Sequence, residues 1–361
     1  MLFSMNPKRK RKDLFDREEE MDKLRRSVQN YPITVVTGLR RVGKSSLLRV
    51  FLEENEGPDI FIDARKLYAK GGGKITIPSL VSSLEKEMAN LSKKAKISEL
   101  LKRIKGINLQ GIGLEFESKK VSTVDVFEKL SEMAEKMGSS MIVCFDEAQY
   151  FRFYGSRGGR DFLAMLAYIH DELNSIRIIL TGSEIGLLHD FLKTSDYESP
   201  LYGRGVNEIV VKPFSKDLAV EFLKKGFEES GVKPDFSFED VVERIDGIPG
   251  YLVLFGMKYL ETKDMERAVK AVYETMKSLV KKELKELEKR SKRYKKALKF
   301  ISKGVDSWSD LKRSFHALGD NISDSRLYEI LQNLMKMSFV EEVKGRYKIV
   351  DSVLKEVFKS V

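Results

Sequence analysis

A glycine-flanked segment near the N-terminus has the residue types that bind phosphate. Residues 38–45 are Gly-Leu-Arg-Arg-Val-Gly-Lys-Ser, which fits the pattern G-x-x-x-x-G-K-[ST]. The glycines allow a turn in which backbone N–H groups face phosphate oxygens, assisted by the N-terminus of the following helix. Lys44 would reach the β- and γ-phosphates, and the Ser45 hydroxyl would bind Mg²⁺. We therefore expect a nucleotide site formed by Gly38, Arg41, Val42, Gly43, Lys44, Ser45 and Ser46.

Two carboxylates follow an apolar run about 100 residues downstream. Residues 141–147 are Met-Ile-Val-Cys-Phe-Asp-Glu, a buried-strand pattern that ends in acids. Next to a phosphate loop, Asp146 would hold the Mg²⁺ shell. Glu147 would polarise the water that attacks the γ-phosphate. The presence of Glu147 favours hydrolysis over binding alone.

Small hydroxyl residues and one arginine complete the candidate set. Thr181 and Ser183 follow the apolar strand 176–180, and either would face the γ-phosphate if that strand lies between the two motif strands. Arg204 lies in a glycine-containing loop just before the last strand and could compensate charge at the γ-phosphate, in cis or from a neighbouring subunit. A surface or structural ion pair is an equally good interpretation of Arg204 from spacing alone.

The elements that would position these residues alternate between strands and helices. Uninterrupted apolar strands without polar alternation are typical of a parallel sheet covered by helices on both faces, so the fold class is α/β. A further strand or hairpin is expected at 112–116. Strands are predicted at 31–39, 59–65, 141–145, 176–180 and 206–211, and helices at 78–104, 122–137 and 159–173.

The chain after Pro213 contains helices and almost no strand signal. One helix is expected from Ser215 to about Glu229 and a second one after Ser237, and a third ends at about Glu261. A long, basic helical stretch then continues to Phe300. Two short helices and a hairpin in the last 60 residues then match the layout of a winged helix. The outward residues of its recognition helix carry no net positive charge: Asp324, Arg326, Glu329, Gln332, Asn333 and Lys336.

The order of these motifs resembles the archaeal ATPase family of the STAND class, which is related to AAA-type ATPases of the origin-recognition kind. The segments that carry the resemblance, Walker A and Walker B motifs included, are 15–20, 38–45, 145–149, 181–186, 199–204, 212–214 and 247–249. The resemblance implies ATP as the nucleotide, with Phe15 and Arg17 near the adenine. It also implies Thr181 or Ser183 as the sensor, and a helical lid whose nucleotide contact is best assigned to Pro249.

Composition limits the remaining possibilities. The net charge of +10 is concentrated in 8–12 and in 277–299, which holds eleven Lys/Arg against three Glu. Such runs either solvate a surface or contact a polyanion. A single cysteine and three scattered histidines argue against a zinc site, and no apolar run is long enough for a membrane span or a signal peptide. We expect a cytoplasmic protein, with residues 8–12 as a solvated arm.

Together these features predict three domains: a P-loop ATPase domain at 1–213, a helical lid at 214–285 and a winged helix at 286–361. The predicted function is slow, Mg²⁺-dependent ATP hydrolysis that controls a conformational switch, stimulated by a protein partner. The alternative is an ATP-regulated protein that binds double-stranded DNA through the winged helix and the basic helix. The sequence leaves the oligomeric state open.

Overall fold

A computed structural model describes residues 1–91 and 122–360. Its N-terminal part contains a five-stranded, all-parallel sheet of order β2-β3-β4-β1-β5. The predicted α/β class is therefore confirmed, and β4 does lie between the two motif strands. The strands are β1 Ile33–Thr37, β2 Asp59–Asp63, β3 Met141–Asp146, β4 Ile176–Gly182 and β5 Val206–Val210.

Helices cover both faces of this sheet, because successive residues of its inner strands point to opposite sides and most of them are apolar. Helices Glu18–Asn30 and Lys44–Glu54 pack on one face. The longer helices Ile77–Leu91, Thr123–Lys136 and Arg160–Glu172 pack on the other. A 3₁₀ turn at Ala148–Phe153 follows β3 directly. The expected strand at 112–116 lies outside the described residues. The helices are α1 Glu18–Asn30, α2 Lys44–Glu54, α3 Ala64–Lys70, α4 Ile77–Leu91, α5 Thr123–Lys136, α6 Arg160–Glu172 and α7 Ile185–Leu192.

The C-terminal part is helical except for one hairpin. The predicted helical stretch to Phe300 is two helices, because α11 ends at Arg290 and Ser291 is extended. The proposed boundary between residues 285 and 286 lies inside α11. The elements are α8 Lys216–Glu229, α9 Phe238–Ile245, α10 Pro249–Thr262, α11 Met265–Arg290, α12 Arg293–Ser302, α13 Trp308–Ala317, α14 Asp324–Lys336, β6 Val340–Val343, β7 Arg346–Ile349 and α15 Ser352–Lys359.

The lid and the winged helix share one hydrophobic core. Helix α11 contributes Met276, Val280, Leu284 and Leu287 to this core, and apolar residues of both the lid helices and the winged helix pack around them. Helix α15, which the sequence patterns did not predict, packs against α11 with its buried face. Helix α11 therefore joins the lid and the winged helix in one packed unit.

The N-terminal segment is packed against the lid. Phe3 is buried in a slot between Gly226 and Gly256, where a Cβ on either glycine would lie within 2.4 Å of its ring. The Lys8 ammonium donates to the backbone carbonyls of Met1, Leu2 and Ser4. The expectation that residues 8–12 form a solvated arm is therefore wrong at Lys8, because backbone carbonyls of a folded turn bind its ammonium group. None of the helices within 1–91 and 122–360 combines the length and hydrophobicity required to cross a membrane.

A buried carboxyl joins the lid to the winged helix and makes stability depend on pH. Asp351 caps α15 by accepting from the Leu354 N–H at 2.7 Å, and it accepts from the Tyr251 hydroxyl at 3.3 Å. Burial is the main influence and raises the pKa of Asp351 to about 6, with the neighbouring Asp246 adding to the shift. Because the folded state favours the protonated carboxyl, the stability gained from it is lost as the pH rises from about 4 through 6.

We predict that Asp351→Asn removes this pH dependence. Asparagine also caps helices and stays neutral, so the variant should exceed the native chain in unfolding free energy by up to about 3 kcal/mol at neutral pH. The difference should grow between about pH 4 and 6 and then level off, as measured by urea unfolding. Asp264→Asn makes the same chemical change at the exposed cap of α11 and serves as the control. A difference that is constant with pH would contradict the prediction.

Candidate functional site

The turn after β1 requires two glycines. Gly38 has φ of +149°, and a Cβ there would lie 2.3 Å from the Val211 carbonyl oxygen. Gly43 has φ of +100° and precedes the first residue of α2. These positive φ values are readily reached only by glycine. The turn thus brings loop backbone and the start of α2 to the carboxyl edge of the sheet.

Lys44 lies buried inside this loop. Its ammonium donates to the carbonyl oxygens of Gly38 and Leu39 at 2.8 and 2.9 Å. Burial is the largest influence and lowers the pKa of Lys44 to about 8, although Glu147 and Asp146 oppose the shift. A buried cation in such a loop is placed to meet an anionic ligand.

Ser45, at the start of α2, is hydrogen-bonded to Asp146, the last residue of β3. The Ser45 hydroxyl donates to Asp146 Oδ2 at 2.9 Å, and the Thr181 hydroxyl donates to Asp146 Oδ1. Burial raises the pKa of Asp146, and these two hydrogen bonds oppose that effect. Hydroxyl and carboxylate oxygens are the donors that Mg²⁺ prefers. The pair Ser45 and Asp146 therefore fits a divalent cation.

Glu147 is held by donors from β4 and from the turn after β3. It adopts a left-handed backbone conformation with φ of +56°. The Ser183 hydroxyl donates to its carboxylate at 2.9 Å, and the Gln149 amide donates at 2.7 Å. Burial alone would raise the pKa of Glu147, but Lys44 and these hydrogen bonds outweigh it and keep the pKa below its usual value. The group is thus an anion with a fixed orientation.

Thr181 and Ser183 occupy different places, although the sequence left either one as the sensor. Ser183 lines the cavity described below together with Glu147. Thr181 is fully buried behind Asp146 and also accepts the Glu147 N–H at 3.1 Å. Ser183 is therefore the residue that could touch a ligand, and Thr181 fixes the two acidic residues.

A cavity of about 590 Å³ opens beside Lys44, between the sheet edge and the lid. Phe15, Phe214 and Phe222 form an aromatic wall, with Phe15 packing edge-on against the other two rings. The lid also lines the cavity through Pro249 and Gly250, and the Gly250 N–H donates to the Arg41 carbonyl at 3.0 Å. The predicted residues that line the cavity are Phe15, Arg17, Arg41, Val42, Gly43, Lys44, Ser45, Ser46, Glu147, Ser183 and Pro249.

Arg17 lines the cavity, but its guanidinium is engaged with backbone. It donates to the carbonyls of Val42 and Lys212 at 3.1 and 2.9 Å and stacks on the Phe214 ring. These contacts tie the phosphate loop to the end of β5. Gly38, Asp146 and Thr181 do not line the cavity and support it from behind.

Arg204 is the predicted site residue that the structure does not bring to the cavity. Its guanidinium forms an ion pair with Asp171 at the end of α6 and donates to the Pro200 carbonyl. The cavity lining does not include it. Of the two interpretations of Arg204, the structural ion pair is therefore the one that this structure contains.

Sequence reasoning missed a group of ion-paired residues at the site. Arg40, Glu184 and Glu283 all line the cavity, and Arg40 forms ion pairs with both glutamates. Arg40 occupies a variable position of the motif, and its two partners are 144 and 243 residues away in sequence. Neither the motif nor charge periodicity could therefore have found these pairs.

The fold and site together define a P-loop ATPase with a helical lid and a winged helix. A model of the ATPase domain found predominantly in Archaea matches residues 14–255, so the chain belongs to this family of ATPases. A model of the C-terminal winged helix-turn-helix domain of MCM proteins matches residues 288–350. The predicted family and the predicted winged helix are thereby confirmed.

Solved structures share this fold, and a curated protein is similar to part of the chain. The Walker-type ATPase of Pyrococcus abyssi is 48% identical over 99% of this chain and all of that one, with a TM-score of 0.90. The ADP form of the ORC2 protein of Aeropyrum pernix shares the fold at 13% identity, 99% and 97% coverage and a TM-score of 0.57. An uncharacterized protein of Methanocaldococcus jannaschii is 28% identical over 205 residues, and the match spans 54% of this chain but only 43% of that relative.

We predict that Thr181→Val destabilises the chain by about 2 kcal/mol. The substitution keeps the shape but leaves a buried Asp146 oxygen and the Glu147 N–H without their partner, which costs about 1–3 kcal/mol. Urea unfolding would measure the change. Thr262→Val removes a hydroxyl that bonds backbone carbonyls at the exposed end of α10 and should cost less than about 0.5 kcal/mol. Equal losses in the two variants would contradict the role given to Thr181.

Proposed function

We propose that the chain is a Mg²⁺-dependent ATPase that uses the nucleotide state to select between arrangements of the lid and winged helix. The observation that carries this proposal is the grouping of Lys44, Ser45, Asp146 and Glu147 at a cavity whose other wall is the lid. The ATPase activity of its family supports the reaction.

In this proposal each polar group has one task. Loop N–H groups and Lys44 bind the phosphates, while Ser45 and Asp146 hold Mg²⁺, which neutralises charge that develops on the phosphates. Glu147, anionic and fixed by Ser183 and Gln149, accepts a hydrogen bond from the attacking water. The adenine occupies the aromatic wall beside Phe15.

Regulation follows from the positions of the lid and of Arg204. The lid contributes one wall of the cavity and shares its core with the winged helix, so a nucleotide that prefers one lid position also selects a winged-helix position. Arg204 assists the reaction only when a conformational change or a neighbouring subunit brings it to the γ-phosphate. In that case turnover stays slow until a partner acts, as expected for a STAND-type switch with the three proposed domains.

We predict that Glu147→Gln lowers ATP turnover at least about 100-fold and leaves ATP binding intact, because the amide cannot accept the water's proton. Steady-state phosphate release and a fluorescent-nucleotide titration would measure the two effects. Glu221→Gln makes the same change on the exposed face of α8 and should have no effect. Full turnover by Glu147→Gln would contradict the assignment.

We also predict that Lys44→Ala abolishes nucleotide binding in the same titration without unfolding the chain.

A second candidate function, ATP-regulated binding of duplex DNA, is favoured by one feature of α11. Lys281, Lys285 and Lys289 recur every fourth residue, and their side chains are exposed, as is that of Arg290. Lys281, Lys285 and Arg290 have no carboxylate partner within the described parts of the chain. This basic stripe has the form of a sequence-independent phosphate contact.

The recognition helix α14 fits this second function poorly in the arrangement seen. Lys336 pairs with Asp190 of the ATPase domain at 2.6 Å, and Asn333 donates to the Tyr294 hydroxyl at 2.8 Å. These two residues, expected to point outward, are thus engaged by tertiary contacts. The exposed start of α14 carries Asp324, which binds Lys312.

We predict that, if DNA is bound, Lys289→Glu with Arg290→Glu weakens duplex affinity and flattens its salt dependence. Removal of two phosphate contacts should lower the slope of log K against log salt by about 2. Fluorescence anisotropy with a labelled duplex at several salt concentrations would measure both quantities. Lys224→Glu with Lys233→Glu makes the same charge change on the exposed lid surface and is the control. Equal affinity of all three proteins would remove the basic stripe as a DNA contact.

A further inference from the structure

Arg40 joins the phosphate loop to three other parts of the chain. Its guanidinium pairs with Glu184, just after β4, and with Glu283 on α11. It also lies over the ring of Phe339, which belongs to the core of the winged helix, at 5.5 Å. A single side chain of the phosphate loop thus contacts the segment after β4, helix α11 and the winged helix.

The same guanidinium lies at the reactive end of the cavity. Arg40 interacts electrostatically with Glu147 and with Lys44, the two residues proposed to meet the γ-phosphate and its attacking water. The other arginines of the lining are differently engaged. Arg17 bonds backbone carbonyls, Arg41 interacts with Tyr251 of the lid and Asp351 of the winged helix, and Arg65 is exposed to solvent at the start of α3.

The lid offers no cation of its own to the cavity. Among the described residues, those of the lid that line the cavity are Phe214, Phe222, Pro249, Gly250, Val253, Leu279 and Glu283, and none of them is a cation. Arg40 is therefore the side chain best placed to supply a second positive charge beside Lys44. Its planar guanidinium suits a phosphate group as well as it suits a carboxylate.

The two carboxylate partners of Arg40 differ in their freedom to separate. Glu184 is buried, with burial the main cause of its raised pKa, whereas Glu283 is partly exposed on α11. A γ-phosphate arriving next to Arg40 would compete with both carboxylates for the guanidinium and would repel them. The partly exposed Glu283 can take up solvent when it is displaced, so the Arg40–Glu283 pair is the one that such an anion would break.

We propose that Arg40 is a γ-phosphate-binding residue that exchanges Glu283 for the nucleoside triphosphate and thereby releases α11 and the winged helix from the phosphate loop. This inference rests on the proposed function, because it assigns a regulatory residue to the same site. In the triphosphate state Arg40 binds the nucleotide, and the link to α11 is lost. In the diphosphate state the Arg40–Glu283 pair holds the docked arrangement. Coupling between two sites is reciprocal, so weakening the pair must strengthen triphosphate binding.

The test compares the affinities of Mg²⁺-ATPγS and Mg²⁺-ADP by calorimetric titration. Glu283→Gln should bind ATPγS about five-fold more tightly than the native chain, with ADP affinity unchanged. Arg40→Gln should bind ATPγS at least about five-fold more weakly, also with unchanged ADP affinity. Glu286→Gln alters the charge of the same helix at an exposed residue that pairs with Lys289, and both affinities should stay native. In the double variant that carries Arg40→Gln and Glu283→Gln, the tighter ATPγS binding caused by Glu283→Gln should vanish.

A second readout reports the docking of the winged helix. The Ile185 N–H donates to the Ser338 hydroxyl across the interface at 3.2 Å. In the native chain, ATPγS should therefore speed amide hydrogen exchange in peptides that contain Ile185, relative to ADP. In Arg40→Gln the two nucleotides should give equal exchange.

The outcomes separate this inference from the proposed function. If the native chain binds both nucleotides but the ATPγS-to-ADP ratio is native in Glu283→Gln and in Arg40→Gln, the exchange of partners is wrong and the ATPase assignment stands. If the native chain binds neither nucleotide, both are wrong. A shift of equal size in Glu286→Gln would reduce the effect to the overall charge of α11 and would also overturn the inference.

Discussion

The site depends on burying opposite charges against one another at one edge of a parallel sheet. An isolated buried ion costs several kcal/mol, so each charge needs compensating partners. Lys44 has carbonyls and two nearby acids, Asp146 has two hydroxyls, and Glu147 has a hydroxyl and an amide. Two of the four side-chain partners of the acids come from the end of β4, Thr181 on the strand and Ser183 directly after it, and β4 lies between β1 and β3. The strand order is thus what brings these hydroxyls to the acids and orients the two carboxyl groups.

The cavity beside these charges has walls from two parts of the protein that do not share a core. The sheet edge provides the loop and the acids, and the lid provides Pro249 and aromatic residues. Because α11 packs in the same core as both the lid and the winged helix, the second wall is connected to the winged helix by continuous packing. Whatever occupies the cavity therefore contacts both the sheet edge and the packed unit that contains the winged helix.

Much of the fold and of the phosphate-binding centre could be predicted because the signals are local. A glycine-lysine-serine turn and an apolar strand that ends in two acids each specify chemistry within eight residues. The unpredicted parts depend on contacts between distant residues. Arg40 and Glu283 look like ordinary solvated charges in sequence, and the break of the long basic helix at Ser291 lacks a proline or glycine signal. Phe3 gave no sign of its slot, since the two glycines that form it are more than 200 residues away.

The docked winged helix connects the two candidate functions. A groove-binding helix must present its surface to solvent, yet α14 is held to α7 by Lys336 and by the neighbouring Ser338. At its exposed start Asp324 pairs with Lys312 and Arg326 pairs with Glu329, so this end presents no surplus of positive charge to a phosphate backbone. Contact with DNA would thus have to begin at the basic stripe of α11, and α14 could contribute only after release from the ATPase domain. Such a release is what a nucleotide-controlled switch would provide, so DNA binding through the winged helix requires the switch, whereas the switch does not require DNA.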